Sequence, residues 1–226
     1  MWKTGGTANR FCALLLALLV CLPVFASAEL PPKGPSMQDL KDEARFAYER
    51  QFVQDVIGRM DAGGEKRKAM TIGNWHLHTS GFAFYMPEGY DLIGRYRGVT
   101  ALLMEKNYPG SSFLTTIAVT VSQHDEKLLD KMGKSEVKTA YARQFQHFEL
   151  LKYQYETVCG EDAIRISFLS GTSPQLLSQQ CIFSKNGQDY VVTLTVENRF
   201  QRVVQGLEEF ERFCDSLLFF EALEKK

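Results

Sequence analysis

His76 and His78 flank Leu77 in the stretch NWHLHT, and their type and spacing come closest to a chemical site in this chain. On an extended strand, side chains two positions apart leave the same face. Two imidazoles at this spacing therefore form half of a zinc or copper site if a third ligand arrives from elsewhere. No cysteine or carboxylate stands beside them in sequence. The ordinary reading of such a pair, next to Trp75, is two half-exposed strand histidines, with metal binding as the alternative. His124 and His147 stand in no motif and receive no role.

After residue 28 the chain has three cysteines, Cys159, Cys181 and Cys214. A nucleophilic thiol needs a cationic or histidine neighbour that lowers its pKa, and none stands beside these three, so all of them read as structural. An oxidising compartment permits one disulfide among them, with three pairings and one thiol left over. If residues 151–184 form a plain three-strand meander, Cys159 lies beside Asp162 and Cys181 beside Ile164, on opposite sides of the middle strand. That separates them by two strand spacings, on the order of 9.6 Å, which is beyond disulfide reach. This pair then closes only if the strand order departs from a meander. Cys214 falls on the apolar stripe of the last helix, where a small buried thiol is the usual occupant.

No nucleophile elbow, phosphate-cradling glycine loop, H-E-x-x-H pair or EF-hand pattern occurs, so no catalytic residue and no cofactor site is assigned. The hydroxyls of Gly110-Ser111-Ser112 and Ser170-Gly171-Thr172-Ser173 fit turn chemistry. A triad assembled from distant residues is still open, although four histidines in the chain leave few opportunities.

The elements that would position these residues follow from periodicity. Leu40, Ala44, Ala47, Phe52, Val56, Ile57 and Met60 recur near helical spacing between Ser36, a cap, and Gly63-Gly64, a stop, predicting one amphipathic helix. It either docks on its own domain or serves as an arm for a partner. Beyond residue 71 the pattern turns to strands. Phe82, Phe84 and Met86 alternate with Ala83 and Tyr85, and Pro87-Glu88-Gly89 makes a corner, with fixed φ at Pro87 and permissive φ at Gly89. Strands are expected over 100–106 and along SSFLTTIAVTVSQ, where Phe113, Ile117, Val119 and Val121 share a face. Val137, Tyr141, Phe145 and Phe148 form a helical stripe with Ser135 as cap. Strands at 151–158, 163–170 and 176–184 follow, and Asn186-Gly187 marks a tight hairpin into 190–196. Val203, Leu207, Phe210, Cys214 and Leu217 close the chain with a helix. The class is α+β: an antiparallel β-sheet with helices packed on it, preceded by the amphipathic helix.

The start of the chain reads as an address. Lys3 and Arg10 precede an apolar run from Phe11 to Val20, then Pro23 and Ala26-Ser27-Ala28, the arrangement of a secretory signal cleaved after Ala28. The run is shorter than the ~20 residues of a membrane span. Val20 before Cys21 does not suit lipid attachment. Residues 1–28 hold two basic and no acidic side chains, leaving 24 Lys plus Arg against 27 Asp plus Glu, or −3. That balance gives no footprint for nucleic acid. The run Glu65-Lys66-Arg67-Lys68 reads as a solvated linker after Gly63-Gly64. The expected division is a signal over 1–28, the helix and linker over 29–70, and an α+β domain over 71–226.

Gly81, Phe82, Phe84, Pro87, Gly89 and Tyr90 spell GFxFxxPxGY, and the chain later carries an NGxxYVVTLTV hairpin and a terminal CDSLLFF. In this order, over roughly residues 72–220, the chain resembles the PsbP-like superfamily of α/β/α sandwiches. That superfamily includes photosystem extrinsic subunits, Ran-binding Mog proteins and DcrB-type envelope proteins. The resemblance implies a binding or assembly role without an active site, because the scaffold is shared and chemistry is not. The sequence thus predicts an exported, periplasmic or extracellular protein that binds an envelope or periplasmic protein partner. Nucleic acid, a cofactor and a stable membrane span are not expected. The alternative is a small-ligand or metal-binding envelope protein built on His76, His78 and the aromatic residues Tyr85, Tyr90, Tyr96 and Tyr108.

Overall fold

The structure, a computed structural model, describes residues 37–63, 69–96, 98–106, 110, 112–125 and 132–220. The expected signal segment, the cap Ser36 and the run at 65–68 lie outside the described residues. The chain divides into two compact units, Met1–Ala47 and Tyr48–Lys226.

Helix α1 (Met37–Gly63) precedes the strands β1 (Met70–Ile72), β2 (Trp75–His78), β3 (Phe82–Tyr85), β4 (Tyr90–Tyr96), β5 (Val99–Glu105) and β6 (Thr116–Gln123). Helix α2 (Lys134–Gln144) comes next, followed by β7 (Glu149–Val158), β8 (Glu161–Ser170), β9 (Leu176–Lys185) and β10 (Gln188–Glu197). Helix α3 (Phe200–Ser216) and the short β11 (Leu218–Phe219) complete the fold. Two antiparallel sheets result, β1-β2-β3-β11 and β4-β5-β6-β10-β9-β8-β7. The class is α+β, as the periodicities predict.

Alternation explains the sheet faces. Leu103, Ile117, Val119, Phe183, Val192, Leu194 and Val196 point to one side of the large sheet and meet Phe210, Phe213 and Cys214 of α3 together with Phe82 and Phe84 of the small sheet. Ile164, Ile166, Phe168 and Ile182 point to the other side and meet Val137 and Tyr141 of α2, with Phe145 and Phe148 just beyond it. In β3, Phe82, Ala83 and Phe84 are all fully buried, which is what a strand covered on both faces requires. The Pro87-Glu88-Gly89 corner is where the chain leaves the small sheet and enters the large one. Tyr90 N–H closes it on the Pro87 carbonyl at 3.3 Å, with Gly89 at φ +81°.

Two expectations are corrected. Ser135 does not cap α2: the N-cap is Gly133, with no side-chain cap bond, and the Ser135 carbonyl instead accepts from Thr139 Oγ1 at 2.9 Å. The turn after β7 is the pair Cys159-Gly160, with φ of 53° and 80°, so β8 begins at Glu161 and not at the expected 163. Two left-handed residues match the twist of a two-residue hairpin, as at Asn186-Gly187. The shorter turn sets Val158 opposite Glu161. In the separate pairing of β8 with β9, Cys181 lies opposite Arg165, one residue from the expected Ile164, which lies opposite Ile182. The meander order itself stands.

Two arginines fix α3 to the sheet in opposite senses. Arg202 of α3, 4% exposed, donates to both oxygens of Glu105 at the end of β5, at 2.8 and 2.6 Å, and to Thr115 Oγ1 at 2.7 Å. Arg165 of β8 donates to Glu156 at 2.6 Å and forks onto Glu211 of α3 at 2.9 and 3.2 Å, lying 5.6 Å from the Phe210 ring. The first pair is the more deeply buried, since Glu211 is half exposed. Burial alone pushes the Glu105 carboxyl up, but the Arg202 bonds and charge and the Thr115 N–H outweigh it and hold it below the usual carboxylate range.

Removing one member of such a pair strands a buried charge. Arg202→Met should therefore lower unfolding stability by about 3–5 kcal/mol in urea titrations. Pairing it with Glu105→Leu should restore much of the loss. In the native chain the Glu105 contribution is fully present above the ordinary carboxylate pKa and is lost as pH falls through the lowered folded value.

Candidate functional site

A serine, an aspartate and a histidine do converge, as a triad from distant residues would require. Asp189, at the start of β10 and 3% exposed, accepts from Ser184 Oγ at 2.6 Å, from the Asp125 N–H at 2.8 Å, and meets His124 Nδ1 at 2.8 Å. The wiring is not that of a hydrolase. In a working triad the imidazole stands between the hydroxyl and the carboxylate, so that it can take the hydroxyl proton. Here both side chains bind the same carboxylate oxygen, and the Ser184 proton is directed at Asp189. The cluster ties the end of β6 to the β9–β10 hairpin. Burial raises the Asp189 pKa, but the Ser184 and His124 bonds and the Asp125 N–H outweigh it, and the net shift is downward. Sequence gave no signal for this cluster, because its members lie up to 65 positions apart.

His76 and His78 sit on β2 opposite Phe84 and Phe82. Each ring lies against its partner, His76 at 5.3 Å from Phe84 and His78 at 5.0 Å from Phe82. His78 Nδ1 accepts from the Ser80 N–H at 3.1 Å. Burial lowers the His76 pKa, which favours the neutral ring. Among the described residues no group of three His, Cys, Asp or Glu side chains could hold a metal ion.

The three cysteines are free thiols. Cys181 and Cys214 belong to the core under α3, and Cys159 packs at its margin, its Sγ 3.7 Å from the Cys214 carbonyl. Burial pushes all three thiols up, Cys181 to about 12. That is the opposite of the shift that activates a nucleophile.

What remains unaccounted for by internal bonding is a set of apolar side chains on the outside. In α1, Val53 is 1% and Ile57 9% exposed, while Tyr48 is 74% and Phe52 45% exposed. At about 100° per residue, the second pair points 100–180° away from the first. Arg50, between them, donates to the Asp215 carbonyl at the end of α3 at 2.7 Å. On β7, Leu151 is 50% and Tyr155 70% exposed. On α3, Phe200 is 84% and Val204 42% exposed, one turn apart. Among the described residues no helix is long and apolar enough to cross a membrane.

No family model matches the chain, and no curated protein matches it. Solved structures do. The cyanobacterial PsbP of Synechocystis is 13% identical with a TM-score of 0.46, covering 69% of this chain and 98% of that one. The Saccharomyces cerevisiae Ran-binding protein Mog1p is 11% identical at 0.45, covering 64% and 93%. A Bacteroides thetaiotaomicron protein is 11% identical at 0.46, over 69% of this chain but only about half, 52%, of its own length. A cyanobacterial PsbP and a Mog protein are thus among the structures this chain is similar to.

Under mildly alkaline conditions a thiol reagent should label Cys159 slowly, and Cys181 and Cys214 only after unfolding. Rapid labelling of a buried thiol in the folded chain would contradict the burial described. Asp189→Asn should lower stability at neutral pH, by about 1–3 kcal/mol for the lost charge-assisted bonds. Because the folded pKa is depressed, the difference from the native chain should shrink as pH falls through that value, which melting curves across the acid range would show.

Proposed function

We propose that this chain is an exported, non-enzymatic binding or assembly protein that acts through protein–protein contacts, in the periplasm or outside the cell after cleavage following Ala28. One observation carries the reading: α1 buries Val53 and Ile57 on one side while it exposes Tyr48 and Phe52 on the other. Aromatic rings held at fixed positions on a helix lose little freedom when a partner covers them, and large exposed apolar side chains grouped on one face mark contact surfaces. The docked helix and the binding arm are then the same object. The polar clusters favour the same reading, because Asp189, Glu105 and Arg165 each spend their hydrogen bonds on the fold.

The test is crosslinking in the native envelope with a C-terminal tag, comparing the mature chain, a form lacking residues 29–70, and Tyr48→Ser/Phe52→Ser. A specific partner should be recovered with the first and lost with the other two, while the double substitution leaves the melting temperature unchanged. Equal recovery by all three, or hydrolytic or redox turnover by the pure protein, would sink the proposal. The metal-binding alternative is tested separately. Metal content and melting temperature that do not change in His76→Ala/His78→Ala would remove it.

A further inference from the structure

β7 ends the seven-stranded sheet, so among the described residues no strand pairs with its outer edge. A long open edge is a template for another strand, and folds commonly blunt it with bulges and irregular pairing. The opposite edge is blunted in this way. β4 is seven residues long, and its register with β5 breaks between Leu92 and Gly94 and again between Gly94 and Tyr96. β7 is ten residues long and breaks once, between Leu150 and Lys152; from Lys152 to Val158 its pairing is continuous. The open stretch also carries Tyr155, 70% exposed, with its ring edge-on to Tyr153 at 5.7 Å.

We propose that this edge takes a second copy of the chain, β7 against β7, antiparallel about a two-fold axis through Gln154. Lys152 of one copy then stands opposite Glu156 of the other. The inference rests on the protein-contact reading and names the partner for a different surface from α1.

Register carries the argument. A two-fold interface sets the same strand against itself, and in a continuous sheet opposite residues must lie on the same face. The axis must then pass through a residue, and the charges choose which one. Centred on Gln154, Lys152 meets Glu156 twice and Tyr153 meets Tyr155 twice. Centring on Tyr153 places Lys152 opposite Gln154 and sets Glu156 against the bulged segment. A centre at Tyr155 puts Lys152 opposite Val158, and a centre at Lys152 opposes two lysines. Opposite charges across strands stabilise and like charges destabilise, so the Gln154 register is selected. Glu156 has room for the new partner. Its Oε1 accepts from Arg165 at 2.6 Å and its Oε2 from Gln154 at 2.9 Å, whereas an ionised carboxylate offers about four acceptor positions. Lys152 is exposed and free to reach it.

The experiment is sedimentation equilibrium on the purified chain over a wide concentration range, with a crosslinking arm. The mean mass should rise from monomer toward dimer, and Lys152→Glu should stay monomeric with unchanged circular dichroism and melting. In a Cys159→Ser background, a mild thiol oxidant should join two copies of Gln154→Cys. Directly opposite Cα atoms there lie about 4.5–5.5 Å apart, within disulfide range. Tyr153→Cys and Tyr155→Cys should crosslink far less. Monomer at every concentration up to the solubility limit, a dimer indifferent to Lys152→Glu, or crosslinking that prefers position 153 or 155 would overturn the proposal. None of those outcomes touches capture of another protein through Tyr48 and Phe52, so the two readings fail separately.

Discussion

The arrangement depends on one buried ion pair. Arg202 gives both oxygens of Glu105 a hydrogen bond and adds a third to Thr115, so the first turns of α3 are fixed to the ends of β5 and β6. An arginine that is 4% exposed is tolerated only when its partners are in place. With that end of α3 fixed, Phe210, Phe213 and Cys214 fall on the sheet, and Ser216 meets the Tyr85 N–H at 3.0 Å, setting the small sheet beside the large one. Directionality matters here more than net energy. Apolar packing would let the helix slide along the sheet, whereas a bidentate pair selects one position.

The same economy governs the other polar residues. Asp189 gathers Ser184, His124 and the Asp125 N–H, and Arg165 joins Glu156 to Glu211. Each cluster links elements far apart in sequence, and each consumes the groups from which acid–base or nucleophilic chemistry would be built. The thiols are shifted away from reactivity by burial. Among the described residues these interior groups are bonded within the fold, while aromatic rings on α1 and a strand edge with opposite charges four residues apart lie outside.

Much of this was legible in the sequence because it is local. Alternation in 82–86 and 117–121 placed strands, Asn186-Gly187 placed a hairpin, and spacings of three and four from Val203 placed α3. The capping of α2 was missed because Gly133 caps without a side chain, leaving Ser135 as the visible but wrong candidate. The Cys159 turn was missed because a non-glycine residue takes φ of 53°. Arg202 and Asp189 could not be found from spacing, since their partners lie 97 and 65 positions away. Periodicity puts Phe52 and Ile57 on the same apolar stripe of an amphipathic helix. The structure buries Ile57 and leaves Phe52 45% exposed, with Val53 covered beside it, because one residue turns a helix by about 100°.

We propose that the surfaces of α1 and β7 make the contacts of this protein while its interior holds them in place. Amide hydrogen exchange read by mass spectrometry tests it most directly, comparing the dilute purified chain with the same chain in native envelope preparations. Exchange should be slower in the envelope at Tyr48–Phe52 and along Lys152–Val158, with β9, β10 and α3 unchanged. Identical exchange in both settings across those two segments would contradict it.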